Sequence, residues 1–163
     1  MRLLSEKKCG CCRRHVMRYC ETGELHLDFH GATNTTINYI AKNFSEEALH
    51  EIFFAVGQKV YKSIHKKLQH GDASELIEHW QYFFTREKGK FQIEETPEAI
   101  ILEVSECPAV RQLLKLGLAP SPLFCTQTIM VNKALCENTP FESQTEITGC
   151  GQCRQTIKRR GVK

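Results

Sequence analysis

The sequence predicts an α+β domain: an N-terminal helical layer packed on a roughly four-stranded antiparallel sheet, with two further helices between the hairpins. Three observations predict it. Apolar residues recur three and four apart from Ile37 to Phe84, the period of an amphipathic helix. After Lys88-Gly89 the period becomes two, at Phe91 and Ile93 and again from Phe141 to Ile147. Between those stretches, Cys107-Pro108 and Ser121-Pro122 each suit a helix start, because proline is tolerated in a first turn. Helices and strands that are segregated in sequence belong to the α+β class.

The elements follow in order. Residues 1–24 read as a basic, cysteine-rich leader without a clear period, and 25–158 as one domain before a basic tail at 159–163. A first helix starts near Gly31 with Ile37, Ile40, Ala41 and Phe44 on one side, and Asn43 with Ser45 interrupts it. Ser45 then caps a helix of about five turns through Glu46 and Glu47, striped by Leu49, Ile52, Phe53, Val56, Val60, Ile64 and Leu68. Gly71 ends it. Asp72 caps a third helix carrying Leu76, Ile77, Trp80, Phe83 and Phe84. Thr96-Pro97 turns a first hairpin into the strand Ala99-Ile100-Ile101-Leu102-Glu103-Val104. A short helix runs from Cys107-Pro108 to Gly117, and another from Ser121-Pro122 carries Phe124, Cys125, Ile129, Asn132, Leu135 and Cys136. Gly149-Cys150-Gly151 turns the last hairpin, with Cys153, Gln155 and Ile157 leading its second strand.

Length and composition bound the function. A chain of 163 residues buries one sizeable core, and 41% hydrophobic with 25% charged residues excludes disordered and fibrous classes. No apolar run approaches the roughly 20 residues that span a bilayer. The first residues hold no seven-residue apolar stretch, so no secretory signal and a cytoplasmic chain are expected. Nine cysteines in a reducing compartment serve metal binding, catalysis or packing rather than disulfides. Six basic residues against Glu6 from Met1 to Cys20, and five without an acid from Cys150, make basic ends. They lack the interleaved aromatics of a nucleic-acid surface, so no nucleic-acid partner is expected.

Chemistry-bearing residues fall into three groups. Cys150-Gly151-Gln152-Cys153 places two cysteines across a glycine turn, and Cys9-Gly10-Cys11-Cys12 repeats the spacing. Cys9, Cys12, Cys150 and Cys153 together offer four thiolates to one zinc ion or, less commonly, to an iron–sulfur cluster. A solvated tail and a plain hairpin turn are the alternative. Cys107 and Cys125 stand at helix starts, where the positive end of the helix dipole lowers a thiol pKa, so each is a candidate nucleophile or ligand. Packing is the competing use, and Cys136 reads as core. His26, Asp28 and His30 share one face if extended, while His26 and His30 stack one turn apart if helical. That arrangement suits a metal or an acid–base histidine, unless Asp28 merely caps a helix. His50, His65, His70 and His79 read as solvated faces.

His30 followed by Thr36-Ile37-Asn38-Tyr39-Ile40, then Trp80 and Phe83-Phe84-Thr85-Arg86-Glu87, then Cys107-Pro108, Phe124-Cys125 and Gly149 through Cys153, make a pattern over Leu25 to Ile157. It resembles the L-2-amino-thiazoline-4-carboxylic acid hydrolase-like family, related in outline to 4-vinyl-reductase-type small-molecule-binding domains. The resemblance implies a pocket between helical layer and sheet, a small-molecule ligand, and hydrolytic opening of a small sulfur–nitrogen heterocycle. Cys107, Cys125, Cys153 and His30 match the motif positions, with Cys107 or Cys125 as nucleophile or ligand and His30 as acid–base partner. The leader and Cys150 depart from the pattern, which leaves a zinc- or redox-responsive sensor module as the rival reading.

Overall fold

The fold comes from a computed structural model that describes residues 26–161. Four helices come first: α1 (Asp28–Asn43), α2 (Glu46–Lys59), α3 (Lys62–Gln69) and α4 (Ser74–Arg86). The first begins three residues earlier than the sequence predicts, so Asp28 lies inside its first turn and Gly31 lies beneath Leu116 and Leu118. Ser45 caps α2 as expected, its Oγ accepting the Ala48 N–H at 3.2 Å. The single long helix expected after it is instead two, broken at Val60 and Tyr61. Its apolar stripe serves two separate cores. Leu49 packs with Ile37, Val110, Leu113 and Phe124, whereas Ile64 and Leu68 pack with Leu76, Trp80 and the sheet. The bend joins two helices that face different cores, and it leaves Val60 63% exposed at the corner. Asp72 accepts the Ser74 N–H at 2.9 Å at the start of α4.

The sheet holds β1 (Lys90–Glu95), β2 (Ala99–Glu106), β3 (Phe141–Gly149) and β4 (Gln152–Arg159) in the order β1-β2-β4-β3, antiparallel throughout. The register aligns Phe91, Val104, Cys153 and Ile147 in one row, and Ile93, Leu102, Gln155 and Thr145 in the next. These rows belong to the inner face, where Leu102, Val104 and Ile157 pack against helices. The opposite face carries the exposed row Gln92, Glu103, Arg154 and Glu146, as expected of an antiparallel sheet with one solvated side.

Helices α5 (Pro108–Lys115) and α6 (Thr126–Cys136) lie between the hairpins. The second starts later than Ser121-Pro122. Asn34 on α1 accepts the Ser121 N–H at 2.8 Å and donates to the Ala119 carbonyl at 3.1 Å, while Ser121 Oγ accepts the Leu123 N–H. Residues 121–125 are thus drawn into a turn that buries Phe124 and leaves Cys125 at the helix start. Arg111 on α5 donates to the Glu87 and Lys88 carbonyls, each at 2.7 Å, and to the Glu106 carboxylate, tying the end of α4 to the end of β2. Among the described residues no helix is long and apolar enough to cross a membrane.

Two of the four histidines read as solvated are not. His65 Nδ1 lies 3.0 Å from the Leu135 carbonyl, linking α3 to α6. His79 is mostly enclosed by Tyr61 and Phe83, and burial lowers its pKa to about 4. The unfolded chain therefore takes up this proton from about pH 6.5 downward, whereas the folded chain resists until about pH 4. Stability is fully present above the unfolded value and falls across that window, by roughly 3 kcal/mol at most. Denaturant unfolding of His79→Phe should show a shallower loss between pH 7 and pH 5 than the natural chain. Equal losses would exclude His79 as the source.

Gly57 marks where α2 crosses α6. A Cβ there would lie 2.6 Å from Ala134 Cβ and 3.0 Å from the Val131 carbonyl oxygen. Alanine gains up to about 1 kcal/mol of helix propensity, but overpacking against backbone costs about 1–3 kcal/mol. Gly57→Ala should therefore lower the denaturant midpoint, and a raised midpoint would show that the helices separate freely.

Candidate functional site

Cys107 sits where β2 ends and α5 begins, with extended backbone (φ −70°, ψ 122°) and Pro108 in the first turn. Its N–H donates to the Gly151 carbonyl at 2.8 Å. Gly151 adopts φ +70°, and a Cβ there would stand 3.3 Å from Val110 Cγ1 and 3.8 Å from Cys107 Cβ. The positive φ favours glycine there, and a Cβ would also press on Val110. The bond therefore clamps the turn between Cys150 and Cys153 onto the start of α5. Cys153 enters the same region as the register partner of Val104. Cys125 enters from the start of α6, directly after Phe124, which packs in the same apolar cluster as Cys107. Cys107, Cys125 and Cys153 are partly buried and Cys150 is exposed; all four are free thiols.

The electrostatics reverse the expectation drawn from the helix starts. Burial pushes the Cys107 thiol up. The Val110 and Ala109 amides pull it down, although neither closes a full capping hydrogen bond, and the nearby Glu87 and Arg111 charges oppose each other. Burial likewise pushes Cys125 up to about 11, helped by Cys107, Cys153 and Cys150, which are close enough for their charges to be felt there. Cys153 is raised by burial, against a hydrogen bond from Gln155. Desolvation outweighs the helix dipole at these sites. These three thiols are neutral at pH 7, the weakly nucleophilic form of cysteine.

Two buried polar arrangements adjoin the thiols. His30 Nε2 lies 2.8 Å from Glu87 Oε2, with both residues under 5% exposed, so α1 is fastened to the end of α4. The Glu87 charge reaches Cys107 from there. On the inner face of the sheet, Asn132 donates to Gln155 Oε1 at 2.8 Å and to Thr145 Oγ1 at 3.3 Å. Gln155 Nε2 in turn points at Cys153 Sγ, 3.6 Å away. Two amides within an otherwise apolar layer thus end on a sulfur.

The structure accordingly brings the turn between Cys150 and Cys153 to Cys107, and the Glu87 charge of the His30–Glu87 pair is felt at Cys107. His26 and Asp28 are exposed, apart from the buried ring of His30. Cys136 is core, its thiol pushed up to about 12 by burial. Cys9 and Cys12 lie outside the described residues. Among the described residues no three His, Cys, Asp or Glu side chains already stand where they would hold a metal ion. A shallow depression of about 300 Å³ lies between α2 and α6, lined by His50, Glu51, Phe54, Ala55, Gln58 and Met130, and none of the candidate residues borders it. Sequence reasoning passed over Glu87, Arg111, Asn132 and Gln155. Only Gln155 left a signal, as an amide at an inward strand position between Cys153 and Ile157. No protein-family model matches the chain, and no characterised protein matches it in sequence.

Proposed function

We propose that this chain is a thiol-based sensor module, which responds by binding a thiophilic ligand where Cys107, Cys125, Cys150 and Cys153 meet. One observation carries the reading: the Cys107–Gly151 hydrogen bond holds the turn between Cys150 and Cys153, both free thiols, against the free thiol Cys107, and Cys125 follows Phe124, which packs in the same cluster as Cys107. Neutral thiols are poor nucleophiles yet ready ligands, because a soft partner displaces the proton when it bonds to sulfur. Such a partner would bridge α5, α6 and the β3–β4 turn, so that binding stiffens the contact between the two cores. Phenylarsine oxide, which needs paired thiols, probes this directly. In the chain with Cys9, Cys11 and Cys12 changed to serine, it should bind and stabilise the fold by RT ln(1 + [L]/Kd), about 2.7 kcal/mol at a hundredfold excess over Kd, read as a raised melting temperature. Adding Cys125→Ser and Cys153→Ser should abolish the shift. An unchanged shift would remove the reading.

A second reading is hydrolysis of a small sulfur–nitrogen heterocycle, as the family resemblance implies. The buried His30–Glu87 pair, whose carboxylate charge is felt at Cys107, favours it, since a carboxylate that orients a histidine is an acid–base device. Purified protein given L-2-amino-thiazoline-4-carboxylate would then release a new thiol, and His30→Asn and Cys107→Ser would each stop the release. Intact substrate with the natural chain would exclude it.

A further inference from the structure

We propose that the free edge of β3 pairs with the β3 edge of a second copy of this chain, joining two four-stranded sheets into one. β3 is an edge strand, and among the described helices and strands only β4 and α6 pack closely against it. α6 lies over the inner face of the sheet, where Asn132 reaches Thr145. Among the described elements the edge itself is left uncovered.

The phase of the hydrogen bonds shows which groups face outward. The Arg160 N–H donates to the Pro140 carbonyl at 2.8 Å. Bonds alternate along an antiparallel ladder, so Glu142, Gln144 and Glu146 direct theirs to Lys158, Thr156 and Arg154. Ser143, Thr145 and Ile147 therefore turn their N–H and C=O groups away from β4. Phe141 closes the end of this row, its N–H taken by Thr139 Oγ1 and its carbonyl by Arg160 Nε. From Phe141 to Gly149 the strand holds no proline or lysine, residues that commonly blunt an edge. β1, the opposite edge, is shorter and carries Lys90, Glu94 and Glu95.

A two-fold pairing uses the same surface on both copies, so the strand must complement itself. Full antiparallel overlap of Phe141–Gly149 with its copy sets Thr145 opposite Thr145. Thr145 is one of the outward-facing residues, so this register is in phase with hydrogen bonding. Thr145 then exchanges two main-chain bonds with its counterpart, and Ser143 exchanges two with Ile147 of the copy. On the outer face Gln144 meets Glu146, and Glu142 meets Thr148, with no acid against an acid. A slip of two residues one way sets Glu142 against Glu146. The same slip the other way sets Glu146 against Glu146. Charge thus selects the full-length register. Ile147, 48% exposed on the inner row, gains Ser143 of the copy as a neighbour.

The test is the mass of the chain in solution, by light scattering or sedimentation with the thiols kept reduced. The expected mass is that of two chains, falling to one on dilution. Ser143→Pro removes only an N–H that faces away from β4, a position where an edge strand tolerates proline. It should abolish the dimer and leave the far-UV circular dichroism unchanged. Gln144→Glu sets two pairs of acids face to face across the joint and should raise the dimer dissociation constant about tenfold. Adding Glu146→Gln puts an amide opposite each acid again and should restore the natural value. If Ser143→Pro unfolds the chain, the exchange at 144 and 146 decides alone, because both side chains are exposed. A single-chain mass up to millimolar concentration overturns the proposal. So does a dimer whose dissociation constant ignores Gln144→Glu.

Discussion

The hydrogen bond from the Cys107 N–H to the Gly151 carbonyl is the contact on which the arrangement of this molecule turns. It joins the end of the first hairpin, the start of α5 and the turn of the second hairpin at one point. It relies on the positive φ of Gly151, a conformation that glycine adopts freely, and a Cβ there would press on Val110 at 3.3 Å. Cys107 itself packs against both apolar clusters. A residue shared by two cores is costly to move, since any shift opens a gap on one side or a clash on the other. The same junction that holds the fold therefore also holds the turn between Cys150 and Cys153 at Cys107.

Two cores explain the helical half as well. One straight helix cannot place Leu49 against α5 and Ile64 and Leu68 against the sheet, so the chain bends at Val60 and Tyr61. Burial of Ile64 and Leu68 stabilises by about 1.5–3 kcal/mol each, which exceeds the few backbone hydrogen bonds lost at a bend. The buried His30–Glu87 contact and the Arg111 clamp then hold α4 and α5 in place around that division.

The balance between desolvation and the helix dipole decides the chemistry at the junction. A dipole contributes typically 0.3–1 kcal/mol at a helix terminus, whereas removing a thiolate from water costs more. The Cys107, Cys125 and Cys153 thiols are therefore neutral at pH 7. A neutral thiol is a weak nucleophile unless a neighbouring base takes its proton.

Much of this was legible in the chain itself. The α+β class, the four strands, the cap at Ser45 and the helix start at Cys107 follow from period, proline and capping chemistry, which are local. The break in the long helix was hidden because its apolar spacing continues through Val60. The late start of α6 was hidden because Asn34, 87 residues before Ser121, takes the Ser121 N–H. Pairing the two C-x-x-C motifs was natural along the chain, where like spacings invite grouping. Cys9 and Cys12 lie outside the described residues, and in space strand register and the Cys107–Gly151 bond bring Cys150 and Cys153 to the start of α5. Period, propensity and capping act over a few residues and so are written in the chain. Which sulfurs share a site depends on contacts between residues far apart in sequence, and those exist only once the two cores have closed.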